Sequence, residues 1–136
     1  MPSNLSPRTA RDFRLAVYAV FILLEARLRL RYKSVEQTRR WAAKTGFRSC
    51  ARQQLLIAFR RASARMDETC LVRSLALQRL LSRYDHASEL RLGVGRTERG
   101  FEAHAWLVSG DEVLDGEGPE SREFTLLATW PTGKYS

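Results

Sequence analysis

Three side chains suited to thiol-based acyl transfer occur in the order Cys70, His104 and Asp115, each in a different local setting. Cys70 follows Met66-Asp67-Glu68-Thr69 and begins a helical pattern that runs to Tyr84, with Asp67 or Thr69 as its N-cap. A thiol in the first turn of a helix lies at the positive end of the helix dipole. That field, with an imidazolium close by, favours the nucleophilic thiolate. A histidine can serve such a group as base and then acid, and a carboxylate can hold its ring in the productive tautomer.

His104 lies in Phe101-Glu102-Ala103-His104-Ala105-Trp106-Leu107-Val108, and Ser109-Gly110 leads on to Asp111-Glu112-Val113-Leu114-Asp115. Two strand-like runs around a Ser-Gly pair predict a hairpin. A two-residue Ser109-Gly110 loop pairs Val108 with Asp111 and sets His104 directly opposite Asp115. Opposed residues share a face, with Cβ atoms about 4.5–5.5 Å apart. Register decides the outcome, because a three-residue loop puts Gly116 opposite His104 and a four-residue loop puts Glu117 there.

Each of these residues also has an ordinary structural role. A lone cysteine near a helix start is commonly a small buried hydrophobe, and a lone histidine on an apolar strand a satisfied core residue. Order, spacing and local structure taken together favour the catalytic role. Cys50, in Ser49-Cys50-Ala51-Arg52, stands at the start of another helix without a second strand-borne histidine to serve it. His86 reads as an exposed loop residue, and Asp111 and Glu112 as turn residues at the hairpin tip.

The run Cys70-Leu71-Val72-Arg73-Ser74-Leu75-Ala76-Leu77, followed by Leu92-Gly93-Val94, Phe101-Glu102-Ala103-His104-Ala105-Trp106-Leu107 and Val113-Leu114-Asp115, resembles the transglutaminase-like leader peptidases of lasso-peptide biosynthesis, the B2 proteins. The strong resemblance spans Cys70 to Asp115. It implies a papain-like cysteine peptidase that removes the leader from a ribosomally made precursor, with Cys70 as nucleophile, His104 as general base then acid, and Asp115 as orienter. It also implies a partner cyclase, asparagine-synthetase-like, that uses ATP to close the macrolactam on the freed amine. Fused members of the family carry an N-terminal winged-helix domain for leader recognition. No strand-rich segment of that kind precedes the first helix here, so a separate leader-recognition (B1) protein is expected to present the precursor.

A chain of 136 residues with 44% hydrophobic content suits one domain with one core, residues 1–136. The part before the thiol reads as helices, and the helical portion extends over about residues 6–84. Ser6-Pro7 is a helix-start pair, and an apolar pattern follows from Arg11 to Tyr32. Within it Leu15 to Leu24 is an unbroken apolar run of ten. That is too short to span a bilayer, which takes about 20 residues, and no small-residue cleavage site follows, so a core helix is expected. Arg27, Arg29, Arg31 and Lys33 after the run leave peripheral membrane contact as a second role. Ser34-Val35-Glu36-Gln37 is a capping box for a second helix, which Gly46 can end, and Ser49 to Arg65 supplies a third with Leu55, Leu56, Ala58 and Phe59 on its buried stripe.

Strands are predicted at Glu89 to Val94, Phe101 to Val108, Glu112 to Asp115 and Phe124 to Thr129, giving a sheet portion over about residues 89–129 and a frayed tail from Pro131. Gly93, Gly95 and Gly100 mark turns or close approaches, since no helix follows them as a phosphate loop requires. Helices first and an antiparallel sheet afterwards is an α+β order. On the second strand His104, Trp106 and Val108 share one face and Ala103, Ala105 and Leu107 the other, both apolar enough to be covered.

The net charge is +8, and twenty of the 23 basic residues are arginine. They are spread over three helices without an accompanying zinc-finger or aromatic RNA-binding motif, so no specific nucleic-acid role is assigned and a solvated face is expected. Two cysteines and two histidines without paired ligand spacing make no zinc site, and no cofactor is expected. A free thiol suits a reducing cytoplasm.

For the chemistry itself, the Cys70 backbone N–H is the natural first oxyanion donor. Arg73 and Ser74 follow the nucleophile as supporting or structural residues, with Arg73 pointing away from it, and Trp106 either walls the substrate groove or packs beside His104 as a core aromatic. Two other functions fit the same residues. A transglutaminase or amidase would use the triad on another substrate, and a basic binding module would not need the thiol.

Overall fold

Capping chemistry sets where the first elements begin. In the computed structural model, which describes residues 7–46, 48–98, 100–110, 112–115 and 124–132, the helices are α1 (Pro7–Tyr32), α2 (Val35–Ala43), α3 (Arg52–Ser63) and α4 (Cys70–Arg83). Ser34 caps α2 through the full box: its Oγ accepts from Gln37 N–H at 3.0 Å while Gln37 Oε1 accepts from Ser34 N–H at 3.3 Å. One turn on, Arg39 donates to Glu36 and holds that exposed carboxyl below its usual range. The small support this gives α2 is present above the ordinary carboxylate range and is lost as pH falls through the lowered value. Helix α3 begins at Arg52 behind Ala51, which makes no side-chain cap, three residues later than Ser49.

Gly46 does not end α2. The helix stops at Ala43 and Lys44 takes an extended conformation as C-cap. Gly46 instead donates its N–H to Ser82 O at 2.9 Å, where a Cβ would stand 2.6 Å from the Arg83 carbonyl oxygen. Glycine is needed here for close backbone approach, which fastens the α2–α3 connection to the end of α4.

Strands β1 (Glu89–Thr97), β2 (Gly100–Ser109), β3 (Glu112–Asp115) and β4 (Phe124–Pro131) form an antiparallel sheet in the order β3-β2-β1-β4. The architecture is the α+β order expected from the sequence. Helix α4 packs against β2 on one side and against α1 and α2 on the other. Leu75, Leu77, Leu80 and Leu81 of α4, Leu90 of β1 and Leu107 of β2 are buried in one continuous core with Leu55 and Phe59 of α3. Gln78, also buried, donates from Nε2 to the Trp130 carbonyl at 2.9 Å and ties β4 to the helix.

The tail expected to fray from Pro131 is ordered where it is described. Pro131 pairs with Glu89 at the end of β4, and Thr132 donates its N–H to Ser88 O at 2.9 Å while its Oγ1 accepts from Ser88 N–H at 3.0 Å. Residues 133–136 lie outside the described set. Some arginines expected on a solvated face are packing elements. Trp41 takes two guanidinium groups, Arg29 at 4.9 Å and Arg79 at 5.1 Å from the ring centroid, and burial pushes Arg79 down from its ordinary pKa.

Replacing Gly46 by alanine forces its new methyl against the Arg83 carbonyl, and the expected loss is about 1–3 kcal/mol of unfolding free energy. Urea unfolding measures it. An unchanged midpoint would show that the 44–48 segment moves aside freely.

Candidate active site

Thr69 closes the N-terminus of α4. Its Oγ1 accepts from Val72 N–H at 3.3 Å and its carbonyl from Arg73 N–H at 3.0 Å, which makes Cys70 the first helical residue. The first N–H groups of a helix, that of Cys70 included, have no carbonyl one turn back to receive them. The half-buried Cys70 thiol reaches the sheet, where Ala105 N–H donates to Sγ at 3.3 Å. The described part of β3 reaches Asp115, opposite Leu107, and the contact with the thiol lies two residues from there along β2. Ala105 directly follows His104, so the start of α4 and the histidine-bearing part of β2 meet at one place.

His104 is half-buried, pairs with Gly93 across β1, and stacks on Trp106 with ring centroids 5.9 Å apart and planes 20° apart. Trp106 is 2% exposed. A Cβ on Gly93 would lie 3.2 Å from the indole ring, so the absent side chain gives the ring its seat. Trp106 is therefore a buried ring packed beside His104.

The hairpin register differs from expectation. Ser109 joins the ladder opposite Glu112, and Val108 pairs with Val113, not with Asp111. A register shift between Leu107 and Val108 then brings Asp115 opposite Leu107. His104 is three residues farther along β2, about 10 Å in an extended strand, so the direct opposition of His104 and Asp115 does not occur. With Ser109 opposite Glu112 the ladder already stands two positions away from the expected register, and the irregularity between Leu107 and Val108 adds the third. The alternatives Gly116 and Glu117, and the tip residue Asp111, lie outside the described residues. Glu112 is exposed and pairs with Arg52 at 3.0 Å.

Asp115 shares the helix-facing side of the sheet with Leu107, and there Arg73 donates from Nη2 to its Oδ1 at 2.8 Å. Arg73, expected to point elsewhere, therefore joins the start of α4 to the end of β3. The available signal was its spacing: a residue three after Cys70 lies on the same side of the helix. Ser74 is wholly buried one turn below the thiol, a structural position.

The other sulfur and imidazole lie apart from this junction. Cys50 is buried and donates its thiol to Gln54 Oε1 at 3.3 Å. His86 is not an exposed loop residue: its Nε2 stands 2.6 Å from the Cys50 carbonyl and joins the end of α4 to the segment before α3. Among the described residues no three His, Cys, Asp or Glu side chains gather as a metal site.

Comparison with curated proteins and with solved structures returns no match. The family pattern described as the transglutaminase-like superfamily matches residues 12–129, from the first turns of α1 to the last residues of β4. A match of that breadth takes in the whole helix-then-sheet order together with Cys70, His104 and Asp115, and the chain belongs to the transglutaminase-like superfamily.

Proposed function

We propose that the protein is a cysteine peptidase that removes the leader from a lasso-peptide precursor. The observation that carries the thiol chemistry is the Cys70 sulfur at the first turn of α4, in contact with the backbone beside His104. Superfamily membership supports cysteine-dependent acyl transfer of the peptidase or transglutaminase type. The finer assignment rests on the residue pattern Cys70 to Leu77, Phe101 to Leu107 and Val113 to Asp115.

In this mechanism the Cys70 thiolate attacks the carbonyl carbon of the last leader residue, and the Cys70 N–H stabilises the oxyanion. His104 protonates the departing core amine, and the leader remains on sulfur as a thioester. A water that gives its proton to His104 then attacks the thioester, releasing the leader as a free acid and restoring the thiol. Asp115 keeps the proposed orienting role, which requires a closer approach to His104 than opposition to Leu107 provides. A separate leader-recognition protein delivers the precursor and a cyclase consumes the new amine. The setting is the cytoplasm.

One observation favours a second function. The Asp115 carboxylate is already engaged by Arg73, as expected of a binding module that has kept the fold without an operating triad. An amidase or acyltransferase would differ from the peptidase only in substrate or acceptor, and product mass separates them.

Incubating the protein with a precursor and its recognition partner, with mass spectrometry as readout, is expected to give leader and core, with no product from Cys70→Ala and roughly 10²–10⁴-fold slower cleavage by His104→Ala. Cleavage at the native rate by Cys70→Ala would remove the thiol from the mechanism, and product bearing an amine adduct would point to acyl transfer. Iodoacetamide is expected to modify Cys70 before Cys50, because Cys50 is buried; peptide mapping of the first adduct decides it. Arg73→Met leaves Asp115 without its guanidinium and is expected to lower stability by about 1–3 kcal/mol. If Asp115 serves only that pair, Asp115→Asn lowers stability and leaves the cleavage rate of the folded enzyme intact, and the orienting role is lost.

A further inference from the structure

Helix α1 is apolar on two opposite sides, and only one of them meets the core. Leu15, Ala19, Ile22, Leu23 and Ala26 are buried against α3 and α4. On the far side Phe13, Val17, Phe21, Leu24, Leu28 and Tyr32 follow at intervals of four, four, three, four and four residues, the spacing of one continuous helical stripe. Phe13 is 67% exposed, Phe21 64%, Leu28 55% and Tyr32 74%. The stripe extends over about 29 Å at 1.5 Å per residue. Scattered apolar residues on a surface need no explanation, but an unbroken row of this length marks a contact surface.

Beside the stripe runs a row of different character. Arg14 and Tyr18 are helical neighbours of Val17 and Phe21, and together with Arg11, Arg48, Ser49 and Tyr84 they line an open cleft of about 550 Å³. The described residues that line the cleft bring three guanidinium groups and no carboxylate. Arg48 lies over the Tyr18 ring at 5.5 Å, and Arg11 donates to Ser49 O at 3.4 Å, so two of the arginines are positioned by the fold. At the other end of the stripe Arg27 and Arg31 are exposed. The acidic residues of α1 are Asp12 and Glu25, and Glu25 is paired with Arg29 at 3.0 Å.

We propose that this face of α1 docks on an anionic membrane surface, with the aromatic and aliphatic stripe entering the boundary between headgroups and acyl chains and the arginine cleft receiving a lipid phosphate. An apolar row edged by guanidinium groups has the chemistry of an interfacial helix, and each basic residue near such a surface adds attraction to anionic lipid. Among the described residues no helix is long and apolar enough to cross a membrane, so the helix lies in the interface and does not span it. A second copy of the chain fits less well. Antiparallel pairing of two stripes about their centre sets Arg14 against Arg31 of the other copy, and each chain carries a net +8. Tyr84, at the end of α4, lines the cleft, while Cys70 opens that helix 14 residues earlier. The phosphate site is therefore about 20 Å from the thiol and leaves it free. The docking depends on neither the thiol nor leader cleavage.

The test is co-sedimentation of the full-length protein with vesicles of phosphatidylcholine alone and of phosphatidylcholine with phosphatidylglycerol. The native chain is expected to sediment with the anionic vesicles. Phe21→Ser with Leu28→Ser, and separately Arg14→Glu with Arg48→Glu, are expected to weaken binding roughly tenfold or more. These positions are exposed, and thermal melts confirm that both variants remain folded. Absence of sedimentation with anionic vesicles, equal sedimentation with neutral ones, or undiminished binding by the stripe variant overturns the proposal. So does a concentration-dependent dimer that the stripe variant abolishes without any vesicle binding by the native chain.

Discussion

A buried backbone N–H without an acceptor costs about 1–3 kcal/mol, and on a strand edge it usually finds one in the next strand. At Ala105 the acceptor is a sulfur carried in from a helix. That bond joins the start of α4 to β2, and farther along the helix Leu75, Leu77, Leu80 and Leu81 are buried in the core.

The remaining ties to α4 come from several directions. Arg73 holds the end of β3, Gln78 holds β4, and the carbonyls of Ser82 and Arg83 receive Gly46 and Arg48 from the chain between α2 and α3. Polar groups on a buried helix are costly unless met, so these bonds give the helix one seating where hydrophobic packing alone would tolerate several. The aromatic side chains are fixed similarly, with Trp41 and Trp130 under guanidinium groups and Trp106 seated over a glycine.

The elements were largely legible in the amino-acid sequence because their signals are local. The Ser34 box, the Thr69 cap, the alternation in β2 and the extent of β3 are each contained within a few residues. Features that depend on distant partners were not. The irregularity between Leu107 and Val108 brings Asp115 to the helix-facing side beside a buried Leu114, and no pattern within the hairpin announces it. The order β3-β2-β1-β4, the use of Gly46 as a close approach and the bond from His86 to the Cys50 carbonyl likewise join segments far apart in the chain. The helix start at Cys70 and the strand around His104 were legible from their settings, whereas the place of Asp115, three positions along β2 from the one expected, was not.

The position of β4 has a consequence for assembly in time. Strand β1 has one neighbour in β2, which follows at once, and another in β4, which arrives after β2 and β3 have both been made. Until then one edge of β1 is open and the buried amide of Gln78 has no Trp130 carbonyl to meet. Pairings distant in sequence form late because their loop closes at greater entropic cost. The helices and the β1–β2 hairpin can therefore gather first on local contacts, while the open edge of β1 leaves the growing chain vulnerable to wrong pairing until its final strand is in place.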